Sequence, residues 1–544
     1  MKNIRNISLF IVMLMLVALN SCKKDFDPVL PGSLPLDGSF PASTEDWTSY
    51  TMQVYIPINP KWGYTFFGTG ASQEGYTLFQ PDNSLFSYYD GASDQCTVFS
   101  GWGAGGDFYD SQNFNFKLGY ENAGRGNAPF EKTRFITRYT ALIDQLEKKC
   151  KITNDSIRKQ LKGEAYMARG LMMFYELYIY GPIPVIMDAA KIGDPVAESD
   201  MTRPTRAQFV SWIESDLKTA ADSLRTKIPS SEDGRFTKGA ALTFLMRLYL
   251  MEHNYSAAVS VGKAIKNLNA YTIQGVNYHN NFLSSNTKLM TPEEIWAITT
   301  NNESEGRSTN PSNMNALIYY LVPGNAKTNP GWSQVFAMPW NIYNSFEAGD
   351  SRKQWLLESY INKDGGIVDS TKGLMGAIIY KYTPDLTGKT FQANDIVVCR
   401  YADVLLMNAE AINGATGPNA EAIADVNAVR SRAGLPQLTA AETSDQASFM
   451  KAIFRERTHE IWFETQRRLD LIRFNNWNTQ AKAFNDFYEP RSNKIVGQKK
   501  LTSDPIFPIP NYAVGLGCGQ SSQYGGSYTE ALPSYYNGNS SGLE

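Results

Sequence analysis

The feature that most limits what this chain can become is a helical apolar period that arrives in closely joined pairs. Ala241, Phe244, Leu248 and Met251 fall on one helix face, and Ala258, Val261, Ile265 and Leu268 on one face of the next. Only His253-Asn254-Tyr255 separates them, and the small pair Ala257-Ala258 lets two antiparallel helices approach closely. This is the layout of a tetratricopeptide hairpin, a unit of about 34 residues. The pattern returns at Ala402, Leu405, Ala409 and Ile412, then at Ala422, Val426, Val429 and Ala433, closed by Gly434 and Pro436. An earlier helix carries two apolar stripes, one through Leu161, Ala165, Ala168, Met172, Tyr175 and Ile179, the other through Met167, Leu171, Phe174 and Tyr178. Two stripes predict burial between neighbours, and Gly181-Pro182-Ile183-Pro184 ends the helix. The fold class is therefore mainly α, with tetratricopeptide-like hairpins. Between the hairpins lies an Asn-, Gly- and Pro-rich insertion, about 269–392, with strand-like Ile295–Thr299 and Ile378–Tyr382. The hairpins are thus not a simple tandem array.

The N-terminus is of another kind. Lys2 and Arg5 precede an apolar run from Leu9 to Leu19, too short to span a bilayer and arranged as a secretory signal. Leu19-Asn-Ser-Cys22 resembles a bacterial lipobox, which makes 1–21 a signal peptide and Cys22 the lipidated residue. Residues 22–41 read as a tether and 42–544 as a single domain, although 544 residues alone would suggest three or four. Its parts are a loop-rich stretch (about 42–127), a helical scaffold (about 128–268 and 393–490), the insertion, and a Gly-, Ser- and Tyr-rich tail (about 491–544). Cys96, Cys150, Cys399 and Cys518 remain. Their spacing fits no zinc or redox motif, and both free thiols and disulfides stay open.

Several motifs resemble one family in order: Gly163-Glu-Ala-Tyr-Met-Ala-Arg-Gly running to Tyr180-Gly-Pro-Ile-Pro, Lys238-Gly-Ala-Ala, and Arg400-Tyr-Ala-Asp-Val-Leu-Leu-Met-Asn-Ala-Glu. Val426-Asn-Ala-Val-Arg-Ser-Arg-Ala-Gly-Leu-Pro, Arg455-Glu-Arg-Thr-His-Glu and Phe507-Pro-Ile-Pro complete the series. Together they resemble the SusD/RagB family of Bacteroidetes surface lipoproteins. After Pro510 the chain departs from the family's usual ending. The resemblance implies a SusD-like helical scaffold with a few short strands and a loop-rich binding face, and an outer-membrane, lipid-anchored, outward-facing location. It also implies glycan or peptide capture without catalysis, and a SusC-like TonB-dependent transporter as partner.

Composition agrees with binding rather than catalysis. A net charge of −3 argues against nucleic acid, and three His leave little for a His-based metal or triad site. No cofactor or metal is expected. Aromatics reach 12%, and flat aromatic faces with a few polar neighbours suit oligosaccharides. Two loop regions supply candidates: Tyr88, Tyr89, Asp90 and Trp102 in the first, Tyr320, Asn329 and Trp332 in the second. Trp296 and Trp340 are expected to be structural. Gly101-Trp-Gly-Ala-Gly-Gly106 matches a dinucleotide fingerprint only in letters, since no apolar helix follows. The alternative is an anchored glycoside hydrolase using Glu456/Glu460 or Asp107/Asp110 as its carboxyl pair. Glu456, Glu460 and Glu464 share a helical spacing with Arg457, Arg467 and Arg468, which predicts an ion-pair ladder including Glu464–Arg468.

Overall fold

The computed structural model describes residues 40–58, 78–79, 85–98, 130, 133–283, 291–300, 336–362, 364–374, 376–383, 394–474, 506–507, 509 and 517–518. The chain falls into two compact units, Met1–Tyr50 and Thr51–Glu544. In the first, Asp46 caps the start of helix α1 (Thr44–Thr51) by accepting from the amides of Ala42 and Ser43, each at 3.0 Å. The signal peptide, Cys22 and nearly all of the tether lie outside the described residues.

The second unit is a succession of packed helices: α2 (Arg134–Lys148), α3 (Asp155–Tyr180), α4 (Arg206–Ser223), α5 (Lys238–Met251) and α6 (Tyr255–Asn267). The two stripes of α3 bury it as expected: Leu161, Ala165, Leu171 and Phe174 are all inaccessible to solvent. Its polar members are paired to match, with Glu164 receiving Arg235 at 2.6 and 2.8 Å and Arg169 holding Asp216 by two bonds of 2.7 Å. Asn154 caps its start, and Gly181, at φ 77°, ends it in a backbone region that side chains other than glycine rarely adopt.

Helix α5 turns into α6 through His253, with Asn254 capping the second helix, as the spacing predicted. The second hairpin is α7 (Tyr401–Thr416) and α8 (Ala420–Arg432), followed by α9 (Gln446–Glu460) and α10 (Arg467–Arg473). Although the insertion separates the hairpins in sequence, α6 packs directly on α7. The array is therefore continuous in space. Small residues make the joint: a Cβ on Gly262 would strike Asn408, and one on Gly414 would lie 2.5 Å from the Tyr255 ring.

The strands are short and mostly come from the insertion. β1 (Thr97–Val98), β3 (Phe336–Met338), β7 (Ala377–Ile379) and β4 (Leu356–Leu357) form one sheet in the order β1-β3-β7-β4. β2 (Glu294–Ile298) pairs antiparallel with β8 (Ile396–Arg400), which leads directly into α7, and β5 (Ser359–Ile361) pairs with β6 (Ile367–Asp369). The strand expected at Ile378–Tyr382 ends at Ile379; the Tyr380 amide still donates to the Trp355 carbonyl at 2.9 Å, in register with β4, and Lys381 then enters an ion network. All four described cysteines are buried, and Cys150, Cys399 and Cys518 are free thiols.

Candidate functional site

Of the seven expected ligand contacts, Trp102, Tyr320, Asn329 and Trp332 lie outside the described residues, as do Asp107 and Asp110. The other three require correction. Phe86–Gly91 winds into one turn of π-helix rather than an open loop, and Tyr88, Tyr89 and Asp90 are fully buried. The Tyr88 ring packs on Phe507 at 5.0 Å, and the Tyr89 hydroxyl donates to the Tyr175 carbonyl at 3.0 Å. Asp90 accepts from the Thr465 amide at 2.7 Å, and burial pushes its carboxyl up to about 8. These groups fasten the segment to α3 and to the turn before α10; as packed here they offer no face to a ligand.

That fastening has a geometric result. Arg467 grips Asp94 at 2.6 and 2.8 Å, across 373 positions of sequence. β1 then emerges beside β3, in antiparallel register with Thr97 opposite Ala337 and Val98 opposite Phe336. The first loop region continues from Val98, and the second ends at Phe336. Both regions thus share one root, which no spacing in the sequence revealed.

The carboxylates offered as a hydrolase pair form a buried network instead. Arg352 bonds to Glu456 at 2.6 Å and to Glu460 at 2.9 Å, and Arg400 to Glu293 at 2.8 Å and to Glu460 and Glu464. Arg430 and Arg432 add further bonds from α8. The ion pairing was expected, but its geometry was not. Helix α9 ends at Glu460, and Phe463 and Thr465 turn the chain at φ 56° and 60°. Glu464 is therefore off the helix, bonded to Lys381 and Arg400, while Arg468 sits on α10 and donates to the Tyr178 carbonyl. The ladder becomes a cluster tying the insertion to the scaffold. Burial would raise the Glu460 carboxyl, but Arg432, Arg400 and Arg352 hold it well below its usual range. Burial lowers the Lys381 ammonium to about 8, partly opposed by Glu464.

Trp296 is structural, as expected: it is buried and its indole donates to the Gly234 carbonyl at 3.0 Å. Trp340 donates to the Leu374 carbonyl at 3.2 Å. Two small cavities flank the Asp233-Gly234-Arg235 turn. One of about 240 Å³ is lined by Tyr55, Ile58 and Thr299, and one of about 280 Å³ by Tyr271 and Glu294. Among the described residues no acidic, His or Cys group is arranged to hold a metal, and no helix is long and apolar enough to cross a membrane.

Comparison with known proteins falls on the same segments. Residues 365–515 match the profile described as the SusD family, and residues 127–250 match the one described as starch-binding associating with outer membrane. SusD-like protein P25 of Formosa agariphila is 24% identical over 383 residues, which is 62% of this chain and 69% of that one. The solved SusD homolog of Bacteroides thetaiotaomicron superposes with a TM-score of 0.70 at 19% identity, covering 88% of this chain and 96% of the other. A laminarin binding SusD-like protein gives 0.65 at 20% identity, covering 88% and 98%. With matched profiles on both sides of the insertion and the helical array continuous beneath it, the chain belongs to the SusD/RagB family.

Proposed function

We propose that the protein is a surface-exposed, Cys22-anchored lipoprotein that captures oligosaccharide and passes it to a SusC-like TonB-dependent transporter. Family membership supports glycan binding, and the laminarin-binding relative gives a starting ligand. The observation that carries the reading is the shared root of the two loop regions. Trp102 lies four residues beyond Val98, and Trp332 four residues before Phe336, and those two residues pair in the β1–β3 ladder. Four residues reach roughly 14 Å at most, a span compatible with both tryptophans contacting one oligosaccharide. Tyr320 and Asn329 belong to the same region, with longer tethers.

Trp102→Ala and Trp332→Ala should each weaken retention on laminarin or a related glycan in affinity gels by about tenfold, or about 1.4 kcal/mol. Full retention by both variants would remove these residues from the site. Binding should be micromolar to millimolar, about −8 to −4 kcal/mol, since delivery requires release.

The hydrolase reading has less support. A general acid must hold a proton near neutral pH, whereas arginines keep Glu460 ionised and buried. Incubation with a polysaccharide panel should release no reducing ends; turnover would overturn the binding-only reading. Co-purification of a TonB-dependent transporter with the tagged protein tests the partner.

A further inference from the structure

A groove of about 770 Å³ lies between Thr137 of α2 and Trp212 of α4, and no residue of β1, β3 or the two loop regions lines it. Val185, Met187, Val196, Met201 and Trp212 give it apolar walls. Val196 is 77% exposed, the highest value for a large apolar side chain among the described residues. Trp212 is half-buried, and its indole N–H makes no hydrogen bond among the described residues. A large ring with an open face and a free donor is a typical anchor for a partner chain.

The rim is acidic. Four carboxylates each spend one oxygen on a backbone amide: Asp188 on Ala190 at 3.0 Å, Asp194 on Val196 at 3.0 Å, Glu198 on Gly193 at 2.8 Å and Asp200 on Thr202 at 2.9 Å. Against them stand the exposed Lys191 and Arg203, whose guanidinium is committed to the carbonyls of Pro182 and Tyr180 at 2.6 Å each. Lys148, beyond the rim, is held by Asp144 at 2.6 Å. Charge complementarity therefore asks for an occupant that is apolar at its centre and cationic at its flanks. A neutral glycan offers no cation. The chain's own residues 519–544 follow Gly517, which lies beside Met201, but they carry Glu530 and Glu544 and no Lys or Arg.

The backbone of the wall points to an extended occupant. Pro182 and Pro184 favour extended conformations in the residues before them, and Asp188 is extended at φ −103° and ψ 112°. The Ile186 carbonyl accepts from the Thr140 hydroxyl of α2 at 2.9 Å. Neighbours along an extended chain direct their polar groups to the opposite side, and the amides of Val185 and Met187 donate no hydrogen bond among the described residues. Such an edge accepts an added strand.

We propose that this groove docks an extended segment of a partner protein, in which Lys or Arg flanks apolar residues and the backbone pairs along Val185 and Met187. The proposal is independent of the glycan reading.

Fluorescence anisotropy on the full-length protein in detergent can compare the labelled, end-capped pentapeptide Lys-Ile-Ser-Ile-Lys with Glu-Ile-Ser-Ile-Glu. The cationic peptide should bind at least about tenfold more tightly, and salt of about 0.5 M should erase the preference. Methylating its backbone amides should weaken binding by a similar factor, because strand pairing needs those N–H groups. Asp194→Asn, Glu198→Gln and Asp200→Asn together keep oxygen acceptors for the capping bonds and should abolish the preference, and Trp212→Ala should weaken binding. Trp102→Ala and Trp332→Ala should leave it intact, and laminarin should not compete, which separates this groove from the glycan face. No binding, equal affinity for the two peptides, a preference retained in the folded triple variant, or binding that appears only when residues 519–544 are removed would overturn the proposal.

Discussion

Arg400 is the residue on which the largest buried charge cluster converges. Its guanidinium meets Glu293, Glu460 and Glu464, all 5% exposed or less. Removing one partner from a buried ionic cluster leaves uncompensated charge, at a cost of about 3–5 kcal/mol. Arg400→Met should lower stability by that amount in urea titrations; a loss below about 1 kcal/mol would show that the cluster is not structural. Asp90 makes a different prediction. Its folded pKa, about 8, stands above the ordinary 3.8, so the folded state holds a proton that the unfolded state has released. The stability this contributes is complete below the unfolded value and is lost as pH rises through about 8. Asp90→Asn cannot ionise, so its melting temperature should gain on wild type steadily from pH 5 to pH 8.5. A constant difference across that range would contradict the assignment. Neither role could be read in the sequence, where Asp90 is one acidic residue among aromatics and Arg400 begins a helical pattern.

At the scale of elements, the paired apolar periods located both hairpins correctly because a helix face is a local property. What they lacked was the joint between α6 and α7. Gly262 and Gly414 permit it, each lying where a Cβ would meet the opposite helix. Gly414→Ala should therefore destabilise the protein by about 1–3 kcal/mol, even though alanine is the better helix former by about 1 kcal/mol. A stabilised variant in denaturant melts would mean that α6 and α7 can slide apart freely. The Glu456–Glu464 stripe shows the opposite failure. Its spacing is ideal for a helix, yet the chain turns at Ile461–Thr465, where Glu464 gains Lys381 and Arg400. Tertiary partners outweigh an i, i+4 pair of a few tenths of a kcal/mol.

Across the whole molecule, helices form a scaffold and the insertion supplies strands that bring distant loops to one root. Trp102→Ala and Trp332→Ala should accordingly leave the melting temperature within a degree or two of wild type, about what a surface substitution costs in a domain this large. A large drop in scanning calorimetry would make them core residues, as Tyr88 and Tyr89 proved to be. By itself the sequence determined the mainly helical class, the hairpins, the strand at Trp296 and the motif order of the family. These are written in periods of a few residues, where side-chain direction follows chain geometry. Only the tertiary structure decided that separated hairpins stack into one array, that Tyr88, Tyr89 and Asp90 face inward, and that Val98 meets Phe336. Those outcomes depend on pairing between segments hundreds of residues apart. Burial and charge neutralisation select such pairings through the whole fold, and no local pattern records them.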